Sequence, residues 1–148
     1  MKRWFARVGF VVLLQVLCGC MGARHAWAPQ PVATPQVRID PQEIYRQKNR
    51  LWVRVTFTNL TSNMLIVNRD AVYLQLDTGQ ILGRSSGSTT RHEPYAVAAH
   101  SSHRVWVDFK DRAIIDSTSA RILWKDAVRD VAGHAIHIPP MQVTALWR

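Results

Sequence analysis

The chain has 148 residues, 19 of them basic and 10 acidic for a net charge of +9, and its only cysteines are Cys18 and Cys20. That length suits one domain with a two-layer core, and the lack of cysteine after residue 20 excludes disulfide staples, thiolate zinc sites and cysteine nucleophiles there. Lys and Arg are scattered, often beside an acid as in Arg69-Asp70, Lys110-Asp111-Arg112 and Arg129-Asp130, without the basic stripe of a nucleic-acid binder.

The first seven residues carry three positive side chains and no acid, and Val8 to Leu17 is apolar except for Gly9 and Gln15. A basic start, a short apolar run and then small residues is the layout of a secretory signal. At about 1.5 Å per residue the run spans roughly half of a bilayer's hydrocarbon core, which makes a permanent transmembrane helix the weaker reading. Leu17-Cys18-Gly19-Cys20 resembles the lipobox of bacterial lipoproteins, with Cys18 where Ala, Ser or Val is commoner. The resemblance implies cleavage before Cys20, lipidation of its thiol and acylation of the new amino group, and two or three acyl chains anchor stably. Met21 is not the Asp of an inner-membrane retention signal, so the resemblance points to the outer membrane. Two rival readings stand beside it: cleavage at the A-x-A-like Ala26-Trp27-Ala28, releasing a soluble protein, and an uncleaved membrane anchor. Removing residues 1–19 takes three basic residues and no acid, leaving a net of +6 from sixteen basic and ten acidic side chains. Such a balance suits an anionic lipid surface or envelope polymer, or simply a solvated surface of mixed sign.

Residues 20–36, with Pro29, Pro31 and Pro35, read as the lipidated cysteine and a semi-rigid tether, and 37–148 as the domain. Val37 to Asp40 reads as a short edge strand stopping at Pro41, and 41–49 as a polar connection with at most one helical turn. Leu51 to Asn59 has the clearest period of two, with Leu51, Val53, Val55 and Phe57 facing one way and Trp52, Arg54, Thr56 and Thr58 the other. Further strands are expected at Met64–Val67, Ala71–Leu76, Tyr95–Val97, Arg104–Phe109, Arg121–Trp124, His134–Ile138 and Gln142–Leu146. Asp77-Thr78-Gly79-Gln80 reads as a hairpin turn, Gly133 as a second one, and 83–93 as a long Ser/Gly-rich loop. Seven to nine short strands and no convincing helix predict an all-β, antiparallel, immunoglobulin-like β-sandwich, with a small barrel as the second choice.

Asn59-Leu60-Thr61 after a strand, then Val97 to Phe109, Ile122-Leu123-Trp124, Gly133 and Ile138-Pro139-Pro140-Met141, resemble uncharacterised bacterial lipoproteins with a small exported Ig-like domain. The family pattern has Pro-Gly where this chain has Ala99-His100, ahead of the strand containing Val105, Val107 and Phe109. The resemblance covers most of residues 50–141; its motifs concern folding and imply no catalytic residue.

Candidate chemistry is sparse. His100 and His103, with His92, are weak metal candidates if a turn brings them together, because imidazole suits copper or zinc. On a strand the i, i+3 spacing of His100–His103, and of His134–His137, splits the rings between faces. Asp108, Asp111 and Asp116 read as a poor calcium cage because Lys110 and Arg112 intervene. Trp52 and Arg54, with Arg104 and Trp106, lie in the outward phase of two strong strands. Paired in one sheet they would form an aromatic–basic patch for a protein, glycan or headgroup; the competing reading is a locally reversed phase or a covering loop. The expected function is a non-catalytic, lipid-anchored envelope protein that contacts another envelope protein, without cofactor or nucleic acid. The alternative is a periplasmic module that binds metal or glycan.

Overall fold

A computed structural model describes residues 23–85 and 94–146. Twelve strands form among them: β1 Arg24–Pro29, β2 Val32–Ala33, β3 Val37–Gln47, β4 Arg50–Asn59, β5 Leu65–Val67, β6 Tyr73–Leu76, β7 Ile81–Leu82, β8 Tyr95–Val97, β9 Ser102–Lys110, β10 Ser119–Leu123, β11 Val128–Asp130 and β12 Met141–Ala145. Several are only two or three residues long, which is why they exceed the seven to nine expected. The curled main sheet runs β7-β6-β10-β12-β1-β3-β4-β9, with β2 on β3, and a small sheet runs β11-β5-β8. Every pairing is antiparallel. The fold is all-β and sandwich-like, as the strand periodicity predicts.

The strongest strand behaves as its alternation demands. Leu51, Val53, Val55 and Phe57 are buried, and β9 supplies Val105, Val107 and Phe109 to the same core. From the other half of the sheet come Leu74, Leu76, Ile122, Met141 and Val143, and Leu65, Val67 and Val97 close one side. Full burial of such a side chain contributes about 1.5–3 kcal/mol, so the two-residue period sets which face of each strand turns inward. No strand pairing joins β7 to β9 among the described residues. A hydrogen bond of 2.8 Å from the Ser85 N–H to the Asp108 carbonyl ties the chain beyond β7 to that edge.

Three expectations are corrected. First, the segment read as a tether belongs largely to the domain. β1 pairs through Arg24–Ala26 with β3 and through Trp27–Pro29 with β12, and so bridges the two halves of the main sheet. Its Trp27 is 3% exposed, packed in the core. Second, β3 does not stop at Pro41 but continues to Gln47, with a bulge between Pro41 and Glu43. Pro41 lies between the β2 contacts at Arg38–Ile39 and the β1 contacts at Tyr45–Gln47, where β3 has no neighbour on that side. The missing N–H is therefore not missed. Third, Gly133 turns β11 back onto an isolated bridge at Ala135, and residues 134–138 form no strand beyond that bridge. The Asp77–Gln80 hairpin is as expected: Gly79 has φ +87° and Leu76 N–H donates to the Gln80 carbonyl at 2.9 Å.

Asn59, at the end of β4, is fully buried. Its Nδ2 donates to the carbonyls of Asn63, Val97 and Ala98 at 2.7, 3.1 and 3.1 Å. Its Oδ1 accepts from the Thr61 N–H at 2.9 Å and the Thr61 hydroxyl at 2.8 Å. The Asn-Leu-Thr corner is thus a clamp between β4 and the chain leaving β8. In the turn that follows, Ser101 N–H donates to the Ala98 carbonyl and His100 takes φ +54°. His100 therefore adopts the left-handed conformation that favours glycine.

Candidate functional site

The residues expected to form a patch share one surface of the β3–β4–β9 sheet. In the β4–β9 register Arg54 faces Trp106, Thr56 faces Arg104 and Trp52 faces Asp108. Directly opposed residues point to the same face, and the buried Val53, Val55, Val105 and Val107 take the other one. The outward phase is therefore not reversed, and Trp106 is 38% exposed.

The aromatic rings are held by cations. The Arg54 guanidinium lies 3.7 Å from the Trp106 ring centroid and Arg54 Nη1 is 3.4 Å from Glu43 Oε2. The Tyr45 and Trp52 rings stack with centroids 6.4 Å apart and planes 20° apart. Arg24 caps the Tyr45 ring at 4.8 Å and Arg50 caps Trp52 at 5.2 Å. Each such contact contributes about 0.5–1 kcal/mol at an exposed site. More usefully, together they restrict the rotamers of long side chains and so preorganise this surface. Arg104 is exposed and has no ionic partner among the described residues. Beneath this layer Asp108 is 1% exposed and pairs with Arg50, Nε to Oδ2 at 3.5 Å.

Tyr45, Arg24, Arg50 and Glu43 join the patch although the sequence reading left them out. Two of them, Glu43 and Tyr45, fall in residues 41–49, read as a connection, and Arg24 lies in the expected tether. A usable signal was the alternation Glu43, Tyr45, Gln47 against Ile44 and Arg46, which continues β3 in phase once Pro41 is allowed a bulge. Arg46 points to the inner side at the end of the sheet, where it is 8% exposed and donates through Nη1 to the Lys48 carbonyl at 3.1 Å. Burial lowers its pKa, an effect that Asp116 partly offsets.

The other candidates separate. Cys20 and His92 lie outside the described residues. His103 packs its ring on Tyr95, centroids 4.6 Å apart, and His100 sits exposed in the turn. Burial pushes the Tyr95 hydroxyl well above its usual range, against the opposing effect of Arg69. Among the described residues no three His, Asp or Glu side chains converge on a metal-sized site. Asp108 is paired, and Asp111 caps the 3₁₀ turn Arg112–Ile115 by accepting from the Ala113 N–H at 2.8 Å. His134 Nδ1 lies 3.0 Å from Asp130 Oδ2, and hydrogen bonds from His134 outweigh desolvation in holding the Asp130 carboxyl below its usual range.

Two grooves lie elsewhere. One of about 340 Å³ is lined by Gln75, Asp77, Ser119, Arg121 and Gln142, and an apolar one of about 330 Å³ by Trp124, Ile136, His137, Ile138 and Pro140.

No protein-family model and no curated protein matches the chain. Among solved structures it is similar to the yjhA protein from Bacillus subtilis at 11% identity and a TM-score of 0.45, covering 55% of this chain and 70% of that one. It is also similar to the structural-genomics target SoR45 at 9% identity and a TM-score of 0.43, covering 83% of this chain and 87% of that one.

Proposed function

We propose that the protein is a lipid-anchored component of a bacterial envelope. Its immunoglobulin-like domain catalyses nothing and binds another envelope protein through the face carrying Trp52, Arg54, Arg104 and Trp106. The observation that carries the reading is that face: two tryptophans and their guanidinium partners, on adjacent strands and held in place before any partner arrives. Interfaces draw disproportionately on Trp, Tyr and Arg. The lipobox-like Leu17-Cys18-Gly19-Cys20 supports the anchor. So does β1, because a cut after Ala28 would remove Trp27 from the core and every β1 pairing except that of Pro29 with Val143.

The address is tested by the intact mass of membrane-extracted protein beside a Cys20→Ser variant. Residues 20–148 plus acyl chains, lost in the variant, is the expected result; an unmodified chain beginning at Pro29 overturns it. The face is tested by photo-crosslinking in cells from position 104 and, as control, from Gln142 on β12. A discrete protein adduct from 104 alone is expected, and identical patterns from both positions refute the assignment.

A further inference from the structure

If Cys20 carries the lipid, only Met21, Gly22 and Ala23 separate it from the first residue of β1. Four Cα–Cα steps span at most about 14 Å even when fully extended. The domain therefore cannot hang away from the bilayer on a long tether, and its orientation is restricted. Arg24 pairs with Gln47, Gln47 with Arg50 and Arg50 with Lys110, so one row across β1, β3, β4 and β9 forms a single end of the sheet. The opposite end lies about 30 Å away along the ten residues of β4. An inverted domain would hold Arg24 beyond the reach of its own anchor.

The two ends differ in charge. Around the anchored end lie Arg24, Arg46, Lys48, Arg50, Lys110 and Arg112 against Asp77, Asp108, Asp111 and Asp116. Arg24, Lys48, Lys110 and Arg112 are exposed, as are Asp77 and Asp116, whereas Asp108 is buried against Arg50, Asp111 is occupied in its cap and Asp77 accepts from Thr118 and Ser119. Two large apolar side chains also stand out there, Ile115 at 41% and Leu146 at 66% exposure. Leu146 is placed by its N–H donating to the Ala26 carbonyl at 3.1 Å, and the Arg112–Ile115 turn by the Asp111 N–H donating to the Asn49 carbonyl at 3.0 Å. At the far end of the same strands Leu60 at 41% and Met64 at 42% are exposed too, but Asn59 to Met64, Ala98 to Ser101 and Thr34 to Gln36 contain no Lys, Arg, Asp or Glu, so charge is what separates the two ends. Exposed cations beside exposed apolar side chains suit a layer of phosphates over acyl chains, and the attraction acts only within a Debye length of the surface.

Resting on the lipid-anchor reading, we infer that the end formed by Arg24, the Lys48–Asn49 turn, Lys110 and Arg112 is seated on anionic phospholipid headgroups. The sandwich then stands upright on the membrane, with the Asn59 corner outermost.

The test uses the full chain purified from membranes and reconstituted in phosphatidylethanolamine–phosphatidylglycerol vesicles containing a headgroup-nitroxide lipid. Single-cysteine variants Lys48→Cys and Leu60→Cys carry a fluorophore. The label at 48 is expected to lose most of its emission while the label at 60 keeps it. The loss at 48 is expected to shrink when Arg24→Gln and Lys110→Gln are added, or when phosphatidylcholine replaces the anionic lipid. Equal quenching at both positions overturns the orientation, and quenching at 48 indifferent to charge overturns the headgroup contact. The intact mass of the same preparation is read separately: absent acyl chains overturn the anchor itself, whereas an acylated chain with equal quenching overturns only the seating.

Discussion

Replacing Asn59 by alanine removes five hydrogen bonds made by one fully buried side chain. The costliest loss is at the Val97 carbonyl, whose bond is buried where water does not replace the amide; leaving such a group unsatisfied costs about 1–3 kcal/mol. The remaining four bonds are part-buried, and at about 0.5 kcal/mol each after partial rehydration they add roughly 2. A total of about 3–5 kcal/mol is a large share of the 5–15 kcal/mol typical of a domain, and lowers Tm by roughly 10–20 °C at this size. Asn59→Asp is the sharper probe because it keeps the volume and both bonds accepted from Thr61. Its second oxygen would face three carbonyls where an NH₂ donated, so the protonated, donating form is favoured in the folded state and its pKa rises above the unfolded value of about 3.9. The folded state then binds more protons than the unfolded one between those two values, so stability falls as pH rises through that window. Urea denaturation at pH 7 and pH 4.5 should show the Asn59→Asp variant recovering stability relative to wild type at the lower pH. A cost below about 1 kcal/mol for alanine, or parallel pH profiles for the aspartate variant and wild type, refutes the clamp.

The other predictions rest on separate features. Trp27→Ala should destabilise by about 3–5 kcal/mol in chemical denaturation, as for a core tryptophan and unlike any residue of a tether. His100→Gly should raise Tm, because a left-handed backbone costs a side-chain-bearing residue about 1–2 kcal/mol, more than the chain entropy that glycine adds when unfolded. Trp106→Ala should leave stability within about 1 kcal/mol, since the ring is partly exposed and loses mainly its contact with Arg54, while abolishing the crosslink from position 104. The Asp77 carboxylate is raised by desolvation but lowered more by hydrogen bonds from Thr118 and Ser119, so its folded pKa lies below the ordinary value. Its contribution is present above the unfolded pKa and lost as pH falls through the folded one. Thermal melts from pH 5 to 2 should therefore show a flatter acid limb for Asp77→Asn than for wild type.

Where hydrophobic periodicity was strong the sequence was legible: β4, β6, β9 and β12 lie where alternation places them, and Trp52, Arg54, Arg104 and Trp106 emerge on one face. What misled was punctuation. Pro41 reads as a stop because a proline cannot serve a central ladder, but only the whole sheet reveals the gap beside it. The β3–β4 turn hides for the converse reason, since Lys48 holds φ +56° with no glycine to advertise it. β1 was missed because its pattern is short, proline-flanked and divided between two partners, so neither half has enough period to register. Tyr45 and Arg24 were lost to the patch with those segments.

Because Trp27 pairs with Ala145, the first strand and the last are neighbours in the finished sheet. The contact with the longest separation is thus also the one that joins the two halves, and such contacts form late because their loop must close first. A chain threaded through a membrane amino end first would have half its closing seam outside from the start, waiting for residues 141–145. Until they arrive the sheet cannot be completed, so translocation would finish before folding does and the passage would not be blocked by a folded domain.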